Sequence, residues 1–123
     1  MVTNAGELVQ RYFGAIGSGD AATARGLLKD DLYFKGPFDE FHSADDLMRS
    51  LGQLAQIVKG ARPVKQFVDG NDVCVIYDLE TTVAGTSPVV EWHHVEGDKI
   101  VAIHAYFDAR PFAPMFEAAA AHT

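Results

Sequence analysis

The sequence predicts an α+β fold in which three N-terminal helices cover one face of a long antiparallel sheet. Two observations carry this prediction. Up to residue 60 the apolar residues recur at helical spacing, and beyond it they alternate with polar ones. The alternating half is interrupted by short turn sequences, each too short for a crossover helix, so its strands must be antiparallel neighbours.

Leu8, Val9, Tyr12, Phe13 and Ile16 form one helical stripe, with Asn4 placed as its N-cap and Gly17-Ser18-Gly19 as its stop. Asp20 caps a second, shorter helix carrying Ala24, Leu27 and Leu28. After Asp30-Asp31, the run Leu32-Tyr33-Phe34-Lys35 reads as a strand ending at Gly36-Pro37. Ser43 followed by Asp46 resembles a capping box in which Asp replaces Glu. The helix it opens should bury Leu47, Leu51, Leu54, Ala55 and Val58 and close at Gly60. Strands are then expected over 63–68, 73–83, 89–95 and 100–107. Their turns are Asp69-Gly70-Asn71-Asp72, Ala84-Gly85-Thr86-Ser87 and Glu96-Gly97-Asp98, with Gly70 and Gly97 supplying the positive φ of a tight hairpin. The stretch from Glu117 to Thr123 is expected to be a short fraying helix.

The 123 residues are expected to form a single domain over 1–123, with a core over about 5–112 and a tail over 113–123. At 48% hydrophobic and 22% charged residues the balance is that of a globular chain, which needs no disulfide or metal to fold. The net charge of −7 and the scattered Lys and Arg argue against nucleic acid and against an anionic membrane surface as partners. One cysteine, Cys74, cannot form an intrachain disulfide and suits a reducing compartment. Met1 to Glu7 lacks the charged and apolar regions of a signal peptide, and no stretch reaches the length of a membrane span, so a cytoplasmic protein is expected. No phosphate loop, dinucleotide fingerprint or Ser–His–Asp arrangement is present, so neither cofactor nor metal is expected.

Two stretches carry a resemblance. Tyr12-Phe13, Gly17-Ser18-Gly19-Asp20, then Leu27-Leu28 before Asp30-Asp31, resembles the start of the nuclear transport factor two-like superfamily. The close, Gly97-Asp98-Lys99-Ile100 into Ala105-Tyr106-Phe107-Asp108, is similar to the end of its SnoaL-like branch. The resemblance implies an α+β cone: three N-terminal helices packed on a curved, mostly antiparallel sheet, with one internal pocket. It further implies dimerisation through the back of the sheet. By resemblance to ketosteroid isomerase, Tyr12 and Glu91 fall on the two donors that hold a developing oxyanion. The proton-shuttling aspartate of that enzyme, however, aligns with Gly36, which has no side chain to move a proton. Asp39 and Glu40 are the nearest acids along the loop.

Strand alternation then assigns the faces. With Glu91 pointing inward, Val89, His93 and Val95 do too, while Trp92 and His94 point out. Val75, Tyr77 and Leu79 would face in from the preceding strand, and Val101, Ile103, Ala105 and Phe107 from the last. The candidate catalytic residues are therefore Glu91, His93 and Tyr12, the first two as a carboxylate–imidazole pair suited to general base work. The candidate ligand wall is Phe34, Phe38, Val75, Tyr77, Ile103 and Phe107, an apolar lining with few polar groups. Glu91 could equally be a core polar group hydrogen-bonded to Tyr12 or Tyr77. Trp92, His94, His104 and Tyr106 give the outer face an aromatic surface expected to bury against a second copy. Two functions follow: cofactor-free isomerase, cyclase or dehydratase chemistry on a small apolar or cyclic molecule, or a non-catalytic binding or scaffold protein of the same fold.

Overall fold

Asn4 opens the first helix: its side-chain oxygen accepts the Glu7 N–H at 3.2 Å, which satisfies one of the free donors at a helix start. The computed structural model describes residues 4–114, and the tail helix expected from Glu117 lies outside them. Helix α1 (Ala5–Gly17) is followed by α2 (Ala21–Gly26), strands β1 (Leu28–Lys35) and β2 (Glu40–Phe41), and helix α3 (Ala44–Leu54). Strands β3 (Val58–Asp69), β4 (Asp72–Thr81), β5 (Gly85–Glu96) and β6 (Lys99–Phe107) complete the sheet, and a 3₁₀ turn spans Arg110–Phe112. Asp20 and Ser43 cap α2 and α3 as expected, through the Thr23 and Asp46 N–H groups.

The sheet runs β2-β1-β6-β5-β4-β3 and is open, with β2 and β3 at its edges. β3 to β6 form the expected antiparallel meander, while β1 joins β6 in parallel, so the sheet is mixed. Its two tight hairpins close on the pairs Asp69–Asp72 and Glu96–Lys99, with Gly70 and Gly97 at φ 61° and 62° as the first central residues. Only glycine takes that position of a type II′ turn without strain. Register shifts in the β1/β6, β3/β4 and β5/β6 pairings insert unpaired residues, the devices that bend a sheet. The concave side then wraps α1, α2 and α3 around a core of Leu8, Val9, Leu28, Leu32, Leu47, Val73, Val95, Ile100 and Ile103.

Arg25 locks the helices to this sheet. Its guanidinium reaches Asp45 at 2.8 Å and Asp30 at 2.7 Å, joining α2 to the start of α3 and to β1. At the other end Asp108 accepts the Arg110 N–H at 3.0 Å, where the chain enters the 3₁₀ turn after β6.

Several expected boundaries move. α3 stops at Leu54 rather than Gly60, and Val58 opens β3 instead of lying on a helix face. β1 begins at Leu28, so Leu28 leaves α2 and Asp30-Asp31 sits inside a strand. The short β2 pairs with β1 through Phe34–Phe41 and was not foreseen. On β6 the shift at His94/Val95 leaves Val101 unpaired, so Ile100 takes the buried place expected of Val101. Among the described residues no helix is long and apolar enough to cross a membrane.

Candidate functional site

β5 sets Glu91 and His93 two residues apart, so both side chains leave its concave face. α1 lays Tyr12 and Phe13 across them, and β4 brings Tyr77 from the diagonal position beside Glu91. The three strand groups form a chain. The Tyr77 hydroxyl donates to Glu91 Oε2 at 2.5 Å, and His93 Nε2 lies 3.0 Å from Glu91 Oε1. Both carboxylate oxygens are thereby engaged, and the partner of Glu91 left open by the sequence is Tyr77 rather than Tyr12.

This centre is dry. His93 is 0% exposed, Tyr12 4%, and the Glu91 side chain 14%. Burial, reinforced by the Glu91 charge, pushes the Tyr12 and Tyr77 phenols far above their ordinary range, so both remain protonated donors. Phe13 packs edge-to-face on Tyr12, Tyr77 and His93 at centroid distances of 5.7, 5.5 and 5.4 Å, and Tyr12 meets His93 at 5.8 Å. The other imidazole nitrogen, His93 Nδ1, is buried with no hydrogen-bond partner among the described residues.

Of the candidate wall, Val75 and Ile103 are buried beside this centre at 7% and 1% exposure. Phe34, Phe38 and Phe107 form an aromatic rim further along: Phe34 stacks on Phe41 at 5.6 Å, and Phe107 meets Phe38 at 6.5 Å and Phe112 at 5.5 Å. Phe13 was legible only as a packing residue of the α1 stripe. Its neighbour Tyr12, one position earlier on the same stripe, was the available signal that it also faces Glu91.

Gly36 is buried at the end of β1, and a Cβ there would meet the Phe34 ring at 3.2 Å and the Ala105 methyl at 4.0 Å. Phe34 thus takes the space that the resemblance would give to a proton-shuttling carboxylate. The two acids that follow are held differently. Glu40 accepts the Tyr33 hydroxyl at 2.6 Å, which holds its carboxyl below the ordinary range, while partial burial raises that of Asp39. Phe13 packs over His93 and Tyr77 in the interior where the pocket is expected. Glu91 itself lines neither of two concavities among the described residues, although Ala105, its cross-strand partner, lines the first. One of about 210 Å³ is lined by Lys35, Gly36, Pro37, His104, Ala105 and Tyr106, and one of about 400 Å³ lies over Arg62, Asp78 and Thr86.

On the convex face Trp92 and Tyr106 are 43% and 54% exposed. Trp92 stacks on His104 at 5.0 Å, and its indole N–H shares Asp72 Oδ1 with His94 Nδ1, at 2.9 and 2.8 Å. The pairing runs Phe67–Cys74–Trp92–His104 in one row across the sheet, so His104 faces Trp92 and not His94.

A bent mixed sheet cupping helices around a carboxylate, an imidazole and two phenols places the protein in the nuclear transport factor two-like fold class. Residues 9–103 match the description "SnoaL-like domain", and the chain belongs to that family. Among solved structures it is similar to an NTF2-like protein of unknown function from Cytophaga hutchinsonii, with 28% identity over 91% of this chain and 96% of that one and a TM-score of 0.77. It shares its fold with an LEH-like epoxide hydrolase of M. tuberculosis, at 20% identity, 89% and 86% coverage and TM-score 0.75. A polyketide cyclase candidate from Sinorhizobium meliloti is alike at 15% identity, 80% and 93% coverage and TM-score 0.75. Among curated proteins none matches.

Proposed function

We propose that this protein binds a small apolar or cyclic molecule in the concave face of its sheet and moves a proton on it without a cofactor. The carrying observation is the largely shielded carboxylate of Glu91, 14% exposed, bonded at once to Tyr77 and to His93 beside apolar and aromatic side chains. Glutamate is seldom buried without a reason, and a carboxylate-backed imidazole is a general base. Tyr12 supplies a protonated phenol on the facing helix, able to polarise a carbonyl or hydroxyl. Phe34, Phe38, Val75, Tyr77, Ile103 and Phe107 would line the ligand, and its entry requires Phe13 to swing aside.

Cyclohexanone in deuterated buffer tests this. The wild-type protein is expected to speed deuterium uptake at the ketone's α-carbon above the buffer rate, with amide shifts at Tyr12, Glu91 and His93, and Glu91→Gln to return the rate to that of buffer. Amide shifts without acceleration support the second reading, a non-catalytic binding protein, which Gly36 in place of an acid favours. Neither shifts nor acceleration overturns both.

The convex face we assign to a second copy of the chain. Trp92, Tyr106 and Phe67 expose aromatic surface in continuous rows across neighbouring strands, and aromatic residues are enriched where subunits meet. Wild type is expected to scatter light as a dimer and Trp92→Glu as a monomer, because the carboxylate would be buried unpaired at the seam. A monomeric mass for both proteins refutes the assignment.

A further inference from the structure

In this centre the Tyr77 hydroxyl, both Glu91 oxygens and His93 Nε2 have partners, and His93 Nδ1 has none among the described residues. Tyr77 gives its hydroxyl proton to Glu91 Oε2. An Nε2–H donating to Glu91 Oε1 is the neutral tautomer that fits the 3.0 Å contact. A neutral imidazole carries one N–H, so Nδ1 is left as a bare lone pair. That nitrogen is fully buried with no partner among the described residues, on an imidazole that meets the rings of Tyr12 and Phe13 edge-to-face. Buried polar atoms are nearly always satisfied, and the exceptions call for a missing partner.

We infer that His93 Nδ1 is the docking point for a ligand hydroxyl, so that the molecule bound is an alcohol, phenol or enol carried on an apolar ring. This rests on the reading of Glu91 and His93 as a ligand site. A carbonyl or ether oxygen is excluded from this position because it brings a second acceptor against the first. The ring is specified by what it displaces: Phe13 is half-buried, has no polar atom to anchor it, and covers His93 and Tyr77 with a phenyl group. A ligand ring of similar size recovers the same contacts. In a reactive ligand the O–H bond breaks, its electron pair stays on the ligand oxygen, and the proton forms the Nδ1–H bond. The imidazolium produced is then opposed by the Glu91 carboxylate, the arrangement by which a buried acid supports a histidine base.

Phenol, toluene and anisole distinguish the cases, since toluene matches phenol in shape and anisole keeps the oxygen without the proton. Their affinities are measured by amide-shift titration on wild type, on Phe13→Ala, where a phenyl-sized space adjoins His93, and on His93→Phe. The expected result is that the phenol-to-toluene affinity ratio falls about tenfold in His93→Phe, the worth of one good hydrogen bond, while anisole follows toluene throughout. A ratio unchanged by His93→Phe, or anisole binding as well as phenol, overturns the hydroxyl assignment and leaves the ligand site standing. Binding of none of the three, even to Phe13→Ala, overturns the site itself and the inference with it. Should His93→Phe not fold, long-range ¹H–¹⁵N spectra of the wild-type imidazole decide. A bare Nδ1 whose resonance moves on adding phenol supports the assignment; an Nδ1 already protonated, or one indifferent to phenol, overturns it.

Discussion

Glu91→Ala is expected to destabilise the fold by about 2–5 kcal/mol, since about 1–3 kcal/mol is lost for each shielded hydrogen-bonding group left without its partner, and Glu91→Gln by about 1–2 kcal/mol. Alanine strands the Tyr77 hydroxyl and the His93 Nε2–H as buried donors beside an Nδ1 that is already unpartnered. Glutamine keeps a carbonyl oxygen for one of them. A buried ion can often be exchanged for an apolar side chain without loss, but only when its partners change with it. Tyr77→Phe added to Glu91→Ala should therefore recover part of the deficit, a coupling that a double-mutant cycle reads directly. Urea unfolding at neutral pH measures all three. A loss below about 1 kcal/mol for Glu91→Ala would mean that the carboxylate is solvated, contrary to the 14% exposure of its side chain.

The fold was legible because its signals are local. The alternation beyond residue 60, broken around Gly70, Gly85 and Gly97, determines four strands and their antiparallel order. Caps at Asn4, Asp20 and Ser43 place three helix starts correctly because a short polar side chain ahead of an apolar stripe has few other uses. What was misread depends on contacts distant in sequence. Leu54, Ala55 and Val58 keep helical spacing, yet Val58 pairs with Thr81 across the sheet, and that pairing overrides propensity. Val101 was placed inward by strict alternation, which one unpaired residue reverses.

At the candidate site, alternation located Glu91 and His93 on the concave face because β5 is regular through them. It could not show that Tyr77, rather than Tyr12, holds the carboxylate, since that depends on a diagonal between strands. Nor could it show that Phe13 lies over Tyr77 and His93 or that Phe34 lies against Gly36, because ring packing is decided by the whole neighbourhood.

Leu32→Ala is expected to cost about 3–4 kcal/mol, within the range for emptying a fully buried leucine site, whereas Asp31→Ala should stay within about 0.5 kcal/mol. The contrast follows from how β1 is held. Between Leu28 and Tyr33 the ladder to β6 is interrupted, so backbone pairing does not fix this stretch. Leu32 is 0% exposed in the core, while Asp31 reaches only Lys29, at 3.6 Å on the surface. An apolar anchor thus does here what hydrogen bonds do elsewhere in the sheet. Its removal should both lower the urea midpoint and speed amide exchange over residues 29–32, ahead of any change in β4 or β5. Uniform loss of protection across the sheet would instead make Leu32 an ordinary core residue, with β1 held by its paired ends at Leu28 and Tyr33 to Lys35.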